Sequence, residues 1–182
     1  MSSIVLTGDT SGAITVSAPA VAGTNTITLP ASTVTLSNTP AFSVKIGTNQ
    51  SLSEVTITKL EFDTEYFDTD SAFDTTNYRF TVPTGKAGKY FISGMARINS
   101  ETSNNLANGD LYIYKNGSAY IVSANNYVAN YLRGVALTVT AVMDLSEGDY
   151  IELYGYINTI DNTGGISNSG IYSIFSGYKL IA

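Results

Sequence analysis

The residues best equipped for chemistry in this chain are acids. From Glu61 to Asp74 the sequence reads EFDTEYFDTDSAFD, which places Glu61, Asp63, Glu65, Asp68, Asp70 and Asp74 within fourteen residues. Carboxylates this dense have two chemical uses. Their oxygens can converge on Ca2+, a hard cation that needs several oxygen ligands, or two of them can flank a glycosidic bond as acid and base. The plainer reading is a solvated acidic loop, anchored to a core by Tyr66, Phe67 and Phe73, and we adopt it. No cofactor is expected: Ca2+ suits the chemistry, but no ligand set supports it. The chain has no Cys and no His, which removes thiol nucleophiles, disulfides, structural zinc and the commonest general base. No nucleophile, base and orienting group can be assembled from what is left. The expectation is a protein that is not an enzyme.

Tyrosine is the other suggestive residue, with 13 copies. Tyr112, Tyr114, Tyr120, Tyr127 and Tyr131 could form a face that binds sugar or protein, because Tyr offers contact area at low entropic cost. They could equally be cross-strand pairs and contacts between subunits. We take the second reading for Tyr112 and Tyr114, and hold Tyr127 and Tyr131, in a polar loop, as candidate receptor contacts. Loops 99–109, 124–131 and 158–169 are where a receptor reader would sit. The run Asp161-Asn162-Thr163-Gly164-Gly165 opens no helix and reads as a surface loop, not a phosphate site.

The elements that must position these residues are strands. The composition favours Ile, Val, Thr, Tyr and Phe, punctuated by Gly, Ser and Asn, and only 13% of residues are charged. A surface this poor in charge suits a protein buried against copies or partners. The net charge of −6 argues against nucleic acid, since no basic patch can displace counterions from phosphates. No apolar run approaches a membrane span, so no membrane insertion is expected.

Residues 1–40 form one region. Apolar pairs (Ile4 and Leu6, Ile14 and Val16, Ile27 and Leu29, Val34 and Leu36) alternate between turns, and no aromatic residue precedes Phe42. Small residues of this kind cannot close a core of their own. A flexible leader is one reading; we prefer strands that pair with the same segment of sister chains. Residues 41–182 form the second region. Its centre is the stretch FDTTNYRFTVPTGKAGKYFIS (residues 73–93), in which Pro83 to Gly88 makes a corner between two strands. Residues 54–63 (EVTITKLEFD) read as a strand with Val55 and Ile57 on one face, Leu60 and Phe62 on the other, and a bulge near Lys59. Asn116-Gly117 signals a type I′ hairpin. Residues 132–145 form the longest strand, with Leu137, Val139, Ala141, Met143 and Leu145 facing one way and Ala136, Thr138, Thr140 and Val142 the other. About eight to ten strands with regular turns, and no helical periodicity, imply an all-β sandwich.

The order of motifs resembles a known family. Phe-Ser-Val (42–44) comes first, then Leu-Glu-Phe-Asp (60–63), Phe-Asp (73–74), Tyr-Arg-Phe-Thr-Val-Pro (78–83) and Ala-Gly-Lys-Tyr-Phe (87–91). Lys-Asn-Gly (115–117), Leu-Ser-Glu-Gly-Asp-Tyr-Ile (145–151) and Ile-Phe-Ser-Gly-Tyr-Lys-Leu (174–180) follow. This succession resembles the C1q-like branch of the C1q and tumour-necrosis-factor superfamily. The resemblance implies a C1q/TNF-like jelly roll assembled as a homotrimer, with residues 1–40 as a short N-terminal β extension in place of a collagen-like stalk. It implies that Tyr90, Ile92, Tyr178 and Leu180 point into the sandwich. Phe91 and Phe175 would then face the trimer axis, with Thr138 as a third axis position.

The segment SGAITVSAPAVAGTNTITLPAST is similar to β segments of bacteriophage tail-fibre and virion surface proteins. Residues 1–12 show no secretory signal pattern, so we expect synthesis in the host cytoplasm and exposure on a virion surface after lysis. The function expected is a bacteriophage structural knob, a capsid decoration or head-fibre protein. Residues 1–40 would dock it to a major capsid protein or to a tail or adaptor protein. The alternatives are a tail-fibre tip that recognises a host-surface glycan or protein, and a cellular C1q-type binding module.

Overall fold

The structure is a computed structural model that describes residues 3–7, 13–17, 21, 23, 39–128, 131–167 and 172–180. The chain divides into two units, residues 1–37 and 38–182. In the first, β1 (Ser3–Thr7) and β2 (Ala13–Ser17) pair antiparallel, with Ile4 opposite Val16 and Leu6 opposite Ile14. The two strands form a hairpin within one chain. The apolar pairs at 27–29 and 34–36 lie outside the described residues.

The second unit is built from β3 (Ala41–Lys45), β4 (Gln50–Ser51), β5 (Thr58–Lys59), β6 (Thr64–Asp68), β7 (Phe73–Asp74), β8 (Arg79–Thr81) and β9 (Gly88–Ser100). It continues through β10 (Leu106–Lys115), β11 (Ser118–Asn126), β12 (Gly134–Leu145), β13 (Tyr150–Thr159), β14 (Gly164–Ile166) and β15 (Ile174–Lys179). All pairings are antiparallel, and no helix occurs among the described residues. One sheet of six strands runs β11-β10-β13-β8-β7, with β5 also on β13; one of seven runs β4-β14-β9-β15-β3-β6, with β12 along the other side of β9. Two sheets enclosing one apolar layer make this an all-β jelly-roll sandwich.

Strand alternation fills that layer. Ring centroids of Phe42 lie 4.7 Å from Phe80, 5.0 Å from Phe175 and 5.4 Å from Phe73. Tyr90, Leu60, Phe62, Leu111, Ile113 and Leu153 belong to the same buried cluster. Each such side chain contributes about 1.5–3 kcal/mol on burial. The corner at Pro83–Gly88 is held by Lys86 N–H donating to Pro83 O and by the Tyr90 hydroxyl donating to Lys86 O at 2.6 Å. Gly85 there has φ +72°. Asn116 (φ 52°) and Gly117 (φ 76°) form the left-handed pair that a type I′ turn requires.

Three sequence expectations are corrected. Residues 54–63 are not a continuous strand: Val55 takes φ 53°, it and Ile57 are exposed, and only Thr58–Lys59 pair with the sheet. The Gln50 side chain, donating to Lys59 O and accepting from Glu61 N–H, fixes that segment as it leads Leu60 and Phe62 inward. The polar stretches near 99–108 and 124–131 are loops only in part, because β9 runs to Ser100, β10 starts at Leu106 and β11 runs to Asn126, which leaves 101–105 and the residues after Asn126 outside the strands. The acidic stretch is no continuous loop either, since β6 and β7 lie within it.

The sandwich has two distinguishable ends. Ala41 pairs with Tyr178 and Gly88 with Leu145 at the end where the chain enters from residue 40. Gly134 pairs with Asn99, Gly164 with Ser100 and Leu106 with Thr159 at the opposite, distal end.

Candidate binding surfaces

Carboxylates of the acidic stretch are used singly, as turn braces. Asp63 accepts from Gly47 N–H at 2.6 Å and from the Thr64 hydroxyl. Asp68 accepts from the N–H groups of Asp70 and Phe73. Asp74 accepts from the N–H groups of Thr76 and Asn77 and from the Asn77 amide, and these bonds, that amide first, hold its pKa below the usual value. No group of three or more acids is placed to hold a metal among the described residues.

The outward face of the seven-stranded sheet reads as rows across paired strands. One row is Val142–Phe91–Tyr178–Ala41, on β12, β9, β15 and β3; two residues along lies Thr140–Ser93–Ser176–Ser43, and then Thr138–Met95–Ile174–Lys45. Phe91 and Thr138, the two axis positions from the sequence, therefore share this face. Phe91 packs on Tyr178 at 5.5 Å between centroids, Tyr178 is 49% exposed and Val142 58%. The third axis residue, Phe175, does not belong here. It is 0% exposed, opposite Gly94 and Val44, with its ring edge-on to Phe42, Phe62 and Phe73. Tyr178 likewise lies outward rather than inward, and Leu180, past the end of β15, is half-buried and outside the core cluster. The reason is steric. Gly177 faces the core, where a Cβ would come within 2.8 Å of both Ile92 and Phe42, so inward positions on β15 are Phe175 and Gly177, and Tyr178 falls on the other side.

Sequence reasoning missed a second surface, one flank of the sandwich. Among the described residues β11 pairs only with β10 and β12 only with β9, and the two edge strands lie against each other there. β11 is exposed along most of its length on both faces, including Tyr120, Ile121 and Val122. Ile121 sits opposite buried Ile113, on the side of the sheet that should face the core, yet is 40% exposed. An unbroken apolar run (Tyr120, Ile121, Val122) on a strand with no neighbour beyond it was the available signal.

The three candidate loops meet at the distal end. Tyr127 N–H donates to Ala107 O, and Leu132 bridges to Leu106. The buried Asn105 amide oxygen accepts from Ile160 and Asp161 N–H, while its nitrogen donates to Asp161. Asp161 also accepts from the Thr163 and Thr102 hydroxyls, and the Thr163 bond leads in lowering its pKa to about 2. Tyr127 packs against the core, and desolvation, then Asp110, raises its hydroxyl pKa. It anchors its loop instead of standing free. Tyr131 is half-buried at the same end.

Two antiparallel sheets, one with an apolar row on its outward side, define an all-β jelly-roll module. Residues 41–180 match the family model described as C1q domain, and the chain belongs to that family. The globular domain of zebrafish complement 1qA superimposes with a TM-score of 0.57 at 16% identity, covering 78% of this chain and 98% of that one; at that identity the likeness concerns the fold. A bacterial relative, the uncharacterized protein YqcC of Bacillus subtilis (strain 168), is 29% identical over 144 residues. The match takes in 68% of this chain but only 37% of that protein.

Proposed function

We propose that the chain is a non-enzymatic structural knob of a bacteriophage virion, homotrimeric through residues 41–182 and attached to the particle through residues 1–40. One observation carries the trimer: Ile121, Val122 and Val142 stand exposed on the two edge strands of a single flank. Exposed apolar edges invite association, and a closed ring of three would cover each flank with a neighbour's face. Phe91, Tyr178 and Thr138 on the seven-stranded sheet are the surface such a flank would meet. The virion assignment is supported by the likeness of residues 11–33 to segments of virion surface proteins and by the sparse charge. Light scattering on the full chain should give a trimer, and a monomer would remove the assembly reading. Tagged chain should co-sediment with purified particles from cells in which both are made; particles that consistently lack it would remove the virion reading alone. A tail-fibre tip that reads host glycan is a second possibility, favoured by the cleft described next. A cellular C1q-type module would remain if trimers form and no particle carries them.

A further inference from the structure

At the distal end the outward face of the seven-stranded sheet holds a cleft of about 370 Å3, within the size range of small-molecule sites. Its shape follows from the register. The row Gly134–Asn99–Gly165–Ser51 crosses β12, β9, β14 and β4, so two positions flanking Asn99 carry no side chain. Neither can gain one: a Cβ at Gly134 or Gly165 would overlap Asn99 or the Gln50 carbonyl. Beside this row, on β9, lies Arg97.

Arg97 is fixed before any ligand arrives. Its Nε donates to Asn99 Oδ1 at 2.8 Å and its guanidinium lies 4.9 Å from the centre of the Tyr172 ring. The terminal nitrogens make no hydrogen bond among the described residues and remain as a fork. Arg133 lines the same cleft and is exposed. Two of the three arginines of a chain with net charge −6 thus line one depression. Glu101 also lines it, leaving a single net positive charge. The remaining walls are Ser, Asn and Gln side chains, glycine backbone and Ile166, which is itself buried in the core, so they suit hydroxyl groups and offer little to an apolar ligand.

We propose that this cleft binds a saccharide unit bearing a carboxylate, with Arg97 and Arg133 on the carboxylate and the Asn, Ser and backbone groups on the hydroxyls. The site is complete within one chain, so it stands or falls separately from the virion assignment. The test is NMR titration of the full-length protein with D-glucuronate, D-glucose and acetate. Glucuronate should saturate and shift the amides of residues 97–101 and 164–167, while glucose and acetate bind roughly tenfold or more weakly, because each supplies half of the recognised groups. Arg133→Gln should weaken glucuronate by about tenfold, and Glu101→Gln should tighten it, since a competing carboxylate is removed. Acetate binding as tightly as glucuronate would reduce the cleft to a simple anion site and overturn the proposal. So would glucose binding equally well, or affinity unaltered in Arg133→Gln. If Arg133→Gln changes molar mass and not affinity, the cleft is a contact between copies, and the proposal fails.

Discussion

The two outward faces of this sandwich have similar β geometry and opposite economies of contact. On the six-stranded sheet, side chains find their partners within the chain. Tyr114 stacks on Tyr154 at 4.0 Å, Arg79 lies over the Tyr150 ring at 4.6 Å, and the Tyr112 hydroxyl donates to Asp110 at 3.1 Å. Lys59 pairs with Glu152 at 2.5 Å, covering a carboxylate that is otherwise buried. On the seven-stranded sheet, the row through Val142, Phe91 and Tyr178 is apolar, and the rows beside it are mostly Thr and Ser. Away from its exposed edge strand β11, the first face is self-sufficient and aromatic without being sticky. The other leaves its apolar surface for something else to cover. Aromatic content therefore does not separate the two faces; the number of partners found within the chain does.

The largest effect should come from the layer beneath both faces. Phe175→Ala removes a ring that touches three other phenylalanines and should cost about 3–5 kcal/mol, read as a lowered thermal midpoint by circular dichroism. Little change in the midpoint would restore Phe175 to the surface. Next is the unpartnered face with its adjoining flank. Val142→Asp should leave strand content intact while light scattering falls from trimer to monomer, and an unaltered trimer would show that the face is not the contact. The self-sufficient face should respond in the opposite way. Lys59→Met leaves Glu152 buried without its cation and should cost about 2 kcal/mol. That is less than the ~3–5 of a fully enclosed pair, because Lys59 is partly in water. Molar mass should not change, and a shift in mass without a loss of stability would reverse the contrast between the faces.

The smallest effect lies in the pH dependence. Asp149 is held at about 2 by its bond from Lys115 first, then Asn116 and the Ser146 N–H. A lowered carboxylate pKa gives stability that is present above the unfolded value of about 3.9 and lost as pH falls toward 2. Asp149→Asn should make that acid loss shallower without abolishing it, since Asp161 titrates in the same range. At the alkaline end the sign reverses. Desolvation first, then Asp110 for Tyr112 and Glu152 for Tyr154, raises both hydroxyls to about 12. Stability on the tyrosine face should therefore fall between about pH 10 and 12, as the unfolded chain ionises first. Midpoints measured across both ranges check both slopes.

Much of the architecture is written in local pattern. The alternation from Leu137 to Leu145 assigns the buried and exposed sides of β12, Asn116-Gly117 dictates its turn through two left-handed residues, and Pro83 to Gly88 can only be a corner. These readings depend on neighbours within a few residues, where backbone sterics and the two-residue period act directly. What tertiary structure alone decided is where one period is anchored against another. Phe175 and Tyr178 are both aromatic and three apart, so they must lie on opposite sides of β15, yet only the room left by Phe42 and Ile92 at Gly177 says which goes inward. Val55 and Ile57 alternate as a strand would, and long-range bonds from Gln50 to Lys59 and Glu61 override them. The flank of β11 and β12 and the cleft around Arg97 arise from registers between strands far apart in the chain, which determine the gaps and neighbours that no short window of residues contains.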